Sequence, residues 1–474
     1  MTTGYADHQV LKSGWAPEDY RSELQSGRSA VSVWGMGYIG SSTFDALRAE
    51  NLRVVGYDVS SERISALRAA HAGTADADGS AGAPTLTLTD DRAEALAPDV
   101  LIHFVAVPTE RGALPHSRDL VDVLSAIVGA TAARPRTARA PLVIIESTLT
   151  PGTVQRLLLP LLHDRGLVPD EDLLLALAPR RDWFVAEGYG LRDLDRVYSG
   201  IGSRSAEAAY SVLSLMCDTL HRASSHVEGE LVKCVENAYR HLEITLGNQL
   251  TLAYPDVDMV EVLRLAGTKW NIGTFQPSFG TGGYCIPLGS RYLLAGSEHT
   301  EELSLLSQAV ETDVRMRSVV ADSVASRGPV VILGLAYKGD IKVVTLSPTL
   351  GISARLTELG VPFCVFDPLY TAEEINRILG AEVAVTDLPA ALRAARTVLI
   401  VTDHAEFRHD PYLSLLTEPR EGDLLILDNQ GVAAGLVWPE HIVYRQAGNS
   451  AWLQPPVLPP AHGDTSAPSQ GGPE

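Results

Sequence analysis

Cys285 stands in the run Phe279-Gly280-Thr281-Gly282-Gly283-Tyr284-Cys285-Ile286-Pro287, where small residues allow a loop to wrap a ligand closely. A thiol so placed is a candidate nucleophile. Cys217, Cys234 and Cys364 fall in apolar surroundings at helix or strand positions and read as small buried hydrophobes. No pair has CxxC spacing and no paired framework is visible, so neither a metal centre nor a disulfide-rich secreted fold is expected. Lys233 and Asn237 are four residues apart and share one helix face with His241, Ile244 and Asn248. Only five of the 38 basic residues are lysines (Lys12, Lys233, Lys269, Lys338 and Lys342), so a solvated position would carry Arg by preference. Lys233 is therefore read as lining a polar cavity.

A second group could hold a dinucleotide. Gly35-x-Gly37-x-x-Gly40 follows an apolar strand, precedes a helix, and is joined by Asp58 at the end of the next strand. In that arrangement the glycines let the backbone approach a pyrophosphate at a helix N-terminus while the acid takes the ribose hydroxyls. The carboxylate would repel a 2′-phosphate, which favours NAD over NADP. Further along, Glu146-Ser147-Thr148-Leu149-Thr150-Pro151-Gly152-Thr153 leaves another strand. Its hydroxyls face either the ligand crevice or the N-terminus of the next helix, and the residues alone leave both readings open.

The elements that must position these groups alternate as a parallel α/β sheet requires. Strands are expected at Ala30 to Trp34, Arg53 to Tyr57, Val100 to Val107 and Leu142 to Ile145. A mainly helical stretch follows, with one long helix from Val227 to Leu250. Four more strands are expected at Val330 to Gly334, Pro362 to Asp367, Thr397 to Thr402 and Leu424 to Asp428. The fold class is therefore α/β: two Rossmann-like parallel-sheet domains joined by a helical connector, with about six turns in the long central helix. The expected boundaries are a polar leader over 1–28, a dinucleotide domain over 29–205, a helical dimerisation and catalytic-loop region over 206–300, a second α/β domain over 301–452, and a disordered Pro, Gly and Ser-rich tail over 453–474. Residues 74–84, rich in Gly, Ala and Asp, read as a surface excursion.

At 474 residues the chain has room for two or three cores. Its 58 acidic residues against 38 basic give a formal charge of −20, which excludes a phosphate-neutralising nucleic-acid binder. The polar N-terminus lacks a signal pattern and no apolar run reaches bilayer length, so a soluble cytoplasmic protein with no membrane partner is expected.

Taken in order, these motifs resemble the UDP-glucose and GDP-mannose dehydrogenase family of nucleotide-sugar 6-dehydrogenases. The resemblance runs from about Val31 to Gly431 through the fingerprint and Asp58, Val107-Pro108-Thr109, Glu146-Ser147-Thr148, Lys233 with Asn237 and Arg240, Gly282-Gly283-Tyr284-Cys285-Ile286-Pro287, Leu335-Ala336-Tyr337-Lys338, Asp367-Pro368 and Thr402-Asp403-His404. It implies a homodimer built on the central helix, acting in polysaccharide biosynthesis, that uses NAD to oxidise the C6 alcohol of a nucleotide sugar, with a UDP-sugar favoured. Two hydrides leave, the second after Cys285 has captured the aldehyde as a thiohemiacetal that is oxidised to a thioester. Lys233 and Asn237 are implied to stabilise the alkoxide, and Thr148 to position water. Cofactor contacts are implied for Gly35, Gly37, Tyr38, Ile39, Gly40, Asp58, Pro108, Thr109, Ser147 and Thr148. Substrate contacts are implied for Lys233, Asn237, Arg240, Phe279, Gly282, Gly283 and Lys338.

The chain departs from the family pattern where chemistry is at stake. Arg180 follows Pro179 where a Glu is usual, Gly289 stands where an Asp is expected four residues after the cysteine, Tyr284 replaces a His, Gln249 replaces a Glu, and apolar and hydroxyl residues around Thr345 replace an Arg. Loss of two acids predicts slow thioester hydrolysis, or hydrolysis assisted by Glu187 or by water on Thr148. Two-electron oxidation, either stopping at the aldehyde or acting on a secondary alcohol, and nucleotide-sugar binding without turnover stay open as alternatives.

Overall fold

The computed structural model describes residues 19–72, 87–135, 139–181, 189–273, 275–420 and 422–454. Two compact units emerge: one from the residues up to His241 together with Cys285–Ser307, the other from Leu242–Tyr284 with Gln308 onward. Among the described residues no helix is long and apolar enough to cross a membrane.

The first unit is built on an eight-stranded sheet. Its strands are β1 (Ala30–Trp34), β2 (Val54–Tyr57), β3 (Thr87–Thr89), β4 (Val100–Val105), β5 (Leu142–Ile145), β6 (Leu174–Leu177), β7 (Arg196–Gly200) and β8 (Leu220–Arg222), in spatial order β8-β7-β6-β5-β4-β1-β2-β3. Every pairing is parallel except β6 with β7. The order reverses at β1, so ligands are expected at the strands' carboxyl ends there. Strands such as Val-Leu-Ile-His-Phe-Val of β4 are buried throughout, because apolar clusters cover both faces of the sheet.

The second unit holds a five-stranded, wholly parallel sheet. Its strands β9 (Val330–Leu333), β10 (Phe363–Phe366), β11 (Thr397–Ile400), β12 (Leu424–Asp428) and β13 (Ile442–Gln446) lie in the order β10-β9-β11-β12-β13. The doubly wound α/β class expected from sequence is thus present in both units.

Several expected boundaries need correction. The leader over 1–28 contains a helix, Asp19–Gln25, whose Tyr20 and Leu24 are buried in the first core, with the Tyr20 hydroxyl donating to the Ala140 carbonyl at 2.6 Å. Its apolar residues are few but sit one turn apart, enough for a single buried stripe. The first sheet continues past residue 205 to β8, and the Ser203–Leu213 helix packs its alanines on that sheet. The expected region 206–300 is therefore no separate body, and is shared between the units at His241 and Cys285. The long helix runs His226–Ala253. Trp452, the last residue of the expected second domain, is buried and stacks on Phe279, and Leu453, expected in the tail, packs partly buried against the same core. The excursion over 74–84, Glu187 and nearly all of the tail lie outside the described residues.

Candidate active site

The fingerprint closes on itself as its glycines demand. Gly35 has φ +87° and donates its N–H to Tyr57 O at 2.9 Å, directly after β1. A Cβ on Gly40 would collide with the Gly35 carbonyl oxygen, while around Gly37 nothing lies within 4 Å of where a Cβ would stand. The middle glycine therefore faces open space, and the helix that follows (Tyr38–Ala49) has no side-chain cap. A helix N-terminus without a side-chain cap, beside an open glycine, fits a dinucleotide pyrophosphate. Tyr38 is exposed there. Asp58 is half-buried; one carboxylate oxygen accepts from Met36 N at 2.8 Å and the other from Ser60 N at 2.9 Å. Held by these amides, its outer lone pairs can take ribose hydroxyls. The residues present fit NAD.

The other expected cofactor hydroxyls are partly committed. Ser147 donates to Val107 O at 2.7 Å, and Thr109, 8 % exposed, donates to Thr148 O at 2.6 Å. What these two offer a ligand is lone pairs and main chain. Pro108 between them is exposed. Thr148, by contrast, lines a pocket with Ser147, Leu149, Leu177, Pro179, Gly229, Glu230 and Lys233. The structure thus brings the Glu146-Ser147-Thr148 run and the lysine together.

Lys233 is largely covered, and its nearest carboxylate is Glu236 at 3.7 Å, which Arg181 holds at 2.8 Å. Asn237 is 7 % exposed. A cation and a neutral amide, both shielded from water, suit the stabilisation of a developing oxyanion. Further along that face His241 is buried on Ser290 Oγ at 2.9 Å, and Arg240 is exposed. Of this stripe Lys233 lines the pocket, Asn237 is buried one turn further on, and His241 is a packed residue.

Cys285 is exposed and stands at the N-terminus of the Ile286–Gly296 helix, with Pro287 in its first turn. Of the other thiols, Cys217 and Cys234 are buried, and burial pushes Cys234 up to about 12. Cys364 is only half-buried, since strand β10 lies at the sheet edge. Gly289, one turn beyond Cys285, packs its backbone against the long helix: a Cβ there would stand 2.5 Å from Asn237 Cβ and 2.9 Å from Cys234 O. The expected acid is therefore absent together with the room for one. This close approach sets the cysteine helix on the Asn237 turn.

Arg180 is turned inward. Its guanidinium donates to Ser42 Oγ at 2.9 Å, to Ile39 O at 3.3 Å and to Thr43 Oγ1, and lies 3.8 Å from Glu146, which Arg196 also holds at 2.5 Å. The inverted charge thus braces the first turn of the cofactor helix. Glu230 is the other buried acid near Lys233; burial pushes its carboxyl up, against donation from Gly152 N and Val154 N, both at 2.7 Å. With both oxygens bound to amides it anchors the Thr150–Val154 turn.

Sequence reasoning missed Tyr292. Its hydroxyl lies 3.0 Å from Thr109 Oγ1 and donates to Thr109 O at 3.0 Å, and burial pushes it up to about 12. It links the cysteine helix to Thr109 and, through it, to Thr148. The signal was present: Tyr292 lies seven residues, two turns, after Cys285 on the same face.

In the second unit two expectations change. Phe279 is fully buried, stacked on Trp452 with ring centres 5.8 Å apart, so it is a core residue and presents no face to a ligand. Gly282 and Gly283 serve packing first: a Cβ on Gly282 would stand 2.7 Å from Tyr337 Cβ, and Gly283, at φ +90°, lies against the Tyr337 ring and donates to Thr345 O at 2.8 Å. Lys338, next to that tyrosine, is exposed.

Comparison with known proteins agrees with this geometry. The chain matches all three domain models of the UDP-glucose/GDP-mannose dehydrogenase family: the NAD binding domain over residues 29–216, the central domain over 227–315 and the UDP binding domain over 331–428. It is 25% identical over 398 residues to a UDP-N-acetyl-D-mannosamine dehydrogenase of Methanococcus aeolicus, covering 80% of this chain and 85% of the relative. It is 27% identical over 404 residues to a UDP-N-acetyl-D-glucosamine 6-dehydrogenase of Pseudomonas aeruginosa, covering 80% and 91%. Its fold is that of the UDP-D-ManNAc dehydrogenase from Pyrococcus horikoshii, with TM-score 0.73 at 24% identity over 89% of this chain and 100% of that one. The chain belongs to the UDP-glucose/GDP-mannose dehydrogenase family. It is an NAD-dependent nucleotide-sugar dehydrogenase.

Proposed function

We propose that this enzyme oxidises the C6 primary alcohol of a UDP-sugar to the uronic acid in two steps, with Cys285 carrying the intermediate. The observation that carries the reading is the grouping of Thr148 and Lys233 in one pocket, with the Cys285 helix seated on the turn that bears Asn237. NAD bound at the fingerprint supplies the hydride acceptor for each oxidation. Lys233 and Asn237 stabilise the alkoxide as the alcohol loses its proton. The Cys285 thiolate then adds to the aldehyde carbon, giving a thiohemiacetal whose oxidation leaves a thioester. Water held by Thr148 adds to that thioester, and the carboxylate forms as the C–S bond breaks and the thiol returns.

The names of the relatives favour a UDP-N-acetylhexosamine as substrate, and the Lys338 loop is assigned to it. With Arg180 committed to the cofactor helix and Gly289 without room for a side chain, hydrolysis of the thioester is the slow step. A panel of UDP- and GDP-sugars tests the scheme. Two NADH per product, and an adduct on Cys285 in the intact mass during turnover, are expected; one NADH per product would establish the shorter reaction. Cys285→Ser should bind NAD normally and lose acid formation by at least about a thousandfold, so undiminished uronate output removes the thiol from the mechanism.

The active form is proposed to be a cytoplasmic homodimer serving polysaccharide synthesis. In the second unit Leu246, Tyr254, Leu265 and Trp270 are exposed, Trp270 at 92%. So much uncovered apolar surface on neighbouring helices fits a second copy of the chain. A solution mass of one 50.8 kDa chain by light scattering would refute this.

A further inference from the structure

The motifs Asp367-Pro368 and Thr402-Asp403-His404 have no part in the scheme above, yet they meet at one place. Asp367 follows β10, His404 follows β11, and both lie beside the Leu335–Asp340 segment that follows β9. Asp367 and His404 are 1% and 0% exposed. His404 Nε2 lies 3.1 Å from Asp367 Oδ2, which also accepts from Leu335 N at 2.6 Å and Ala336 N at 2.9 Å. The other ring nitrogen, Nδ1, accepts from Asp340 N at 3.0 Å. Adjacent bonds complete a clamp: Gly339 N to Asp403 Oδ1 at 2.9 Å, Thr402 Oγ1 to Ala336 O at 2.6 Å, and Ala405 N to Asp340 Oδ1 at 3.2 Å. Lys338, like Asp340, is exposed on this clamped segment.

The clamp has a protonation state built in. An imidazole that accepts Asp340 N–H at Nδ1 must be neutral, with its proton on Nε2 facing Asp367. On protonation, Nδ1 acquires a hydrogen and meets a donor head-on. The Asp340 carboxylate, 3.5 Å from Nδ1 and 62% exposed, is then the available acceptor. Asp340 is held at φ +61°, so a changed partner is felt directly in its main chain.

We propose that His404 is a positioning residue for substrate: in its neutral form it fixes the Gly339–Asp340 main chain and with it Lys338, and its protonation releases that segment and weakens binding of the UDP-sugar. The inference rests on the reading that Lys338 touches the nucleotide sugar. The groups facing the ring are the carboxylates of Asp367 and Asp340, the Asp340 amide, and the edge-on ring of Phe407 with centres 5.3 Å apart. Burial opposes protonation, but the two carboxylates outweigh it and hold His404 above the ordinary histidine value.

The test is the affinity for UDP from pH 5.5 to 8.5, with KM and kcat for the substrate the panel returns. UDP titrates near about pH 6 itself, a change common to all the proteins compared. The wild type should lose at least about fivefold in UDP affinity and in KM between pH 8 and pH 6 beyond that common change, with kcat altered less than twofold. His404→Asn, which keeps an acceptor near Nδ1 but cannot titrate, should bind within threefold of the wild type at pH 8 and show no extra loss at pH 6. His404→Gln, lacking that acceptor, should be weak at every pH. Asp340→Asn lies at the surface, tolerates a positive φ, and removes one carboxylate from the ring; it should move the affinity midpoint to lower pH. An unchanged pH profile in both His404→Asn and Asp340→Asn overturns the proposal, and if His404→Asn does not fold, Asp340→Asn alone decides it. Should Lys338→Ala bind UDP and substrate as the wild type does, the assignment of Lys338 falls, whereas a pH profile lost in His404→Asn would still establish the clamp.

Discussion

The two units use the same turn to opposite ends. In the first, β1 runs into Gly35, whose N–H donates to Tyr57 O, and the acid after β2, Asp58, accepts from Met36 N. In the second, β9 runs into Gly334 at φ +108°, whose N–H donates to Phe366 O at 2.7 Å, and the acid after β10, Asp367, accepts from Leu335 N and Ala336 N. The strand, the positive-φ glycine and the acid on the neighbouring strand correspond one to one. What differs is what lies over the acid. Asp58 stays half-exposed and can read a ribose, whereas Asp367 is roofed by His404 and can read nothing. After Gly37 a helix begins at once, but after Gly334 the chain stays irregular until the Pro348–Glu358 helix. The first turn presents a helix N-terminus to a pyrophosphate, and the second presents a clamped loop. One local design yields a cofactor site or a loop anchor according to whether the acid is left open.

Paired substitutions of these acids give the largest effect by which the comparison can be broken. Asp367→Ala leaves two buried amides and a buried imidazole without their acceptor, which should cost about 3–5 kcal/mol and unfold or sharply destabilise the second unit. Asp58→Ala should leave thermal unfolding nearly unchanged, weaken NAD by about tenfold to a hundredfold, and relax discrimination against NADP. Calorimetric NAD titration beside thermal unfolding reads both. Equal loss of fold in the two variants would erase the distinction, and wild-type NAD affinity in Asp58→Ala would remove that acid from the ribose.

How much of this was legible in sequence depends on how local the cause is. Gly35, Gly37, Gly40 and Asp58 could be placed because their roles follow from one strand, one turn and the next strand. Lys233 stood out because this chain so seldom uses Lys. Phe279 was expected at the substrate through the resemblance alone, and its burial is decided by Trp452, far along the chain. Strand β6 was missed because Leu-Leu-Ala-Leu favours a helix locally and becomes a strand only between β5 and β7. Tyr292 and Thr109, 183 residues apart, and Asp367 and His404, 37 apart, are joined only once the strands have aligned their carboxyl ends. The motifs were visible, but which residue would cover which was a property of the sheet.

The smallest effect contrasts two buried histidines. His404 in the second unit is flanked by carboxylates and is held above the ordinary value. His103 in β4 of the first unit is 1% exposed, feels the positive charge of Arg134, and hydrogen-bonds to neutral groups: Ser32 Oγ lies 2.7 Å from Nδ1, and the indole N–H of Trp34 donates to that hydroxyl at 2.8 Å. Burial drives it from 6.5 down to about 3. The folded unit therefore refuses a proton that the unfolded chain accepts below about 6.5, so His103 adds no penalty above that pH and stability falls as the pH drops toward 3. The slope is about 1.4 kcal/mol per pH unit while His103 is the only group with this mismatch. His103→Asn keeps an acceptor for Ser32 and removes the proton site. It should be slightly less stable at pH 8, through lost packing, but should melt with a shallower acid dependence between pH 6 and pH 4.5. His404 has the opposite sign: its raised value favours the folded protein, a gain fully present below the unfolded value of about 6.5 and lost as the pH rises through the folded one, so His404→Asn should be less stable at acid pH by a constant amount that fades at higher pH, with the slope between pH 6 and pH 4.5 unchanged. Parallel slopes in wild type and His103→Asn would mean that acid sensitivity resides elsewhere. A shallower acid slope in His103→Asn, beside a deficit in His404→Asn that is constant below about pH 6.5 and disappears as the pH rises, would show that one sheet architecture excludes a proton in one unit and retains it in the other, according to which strand ends carry the carboxylates.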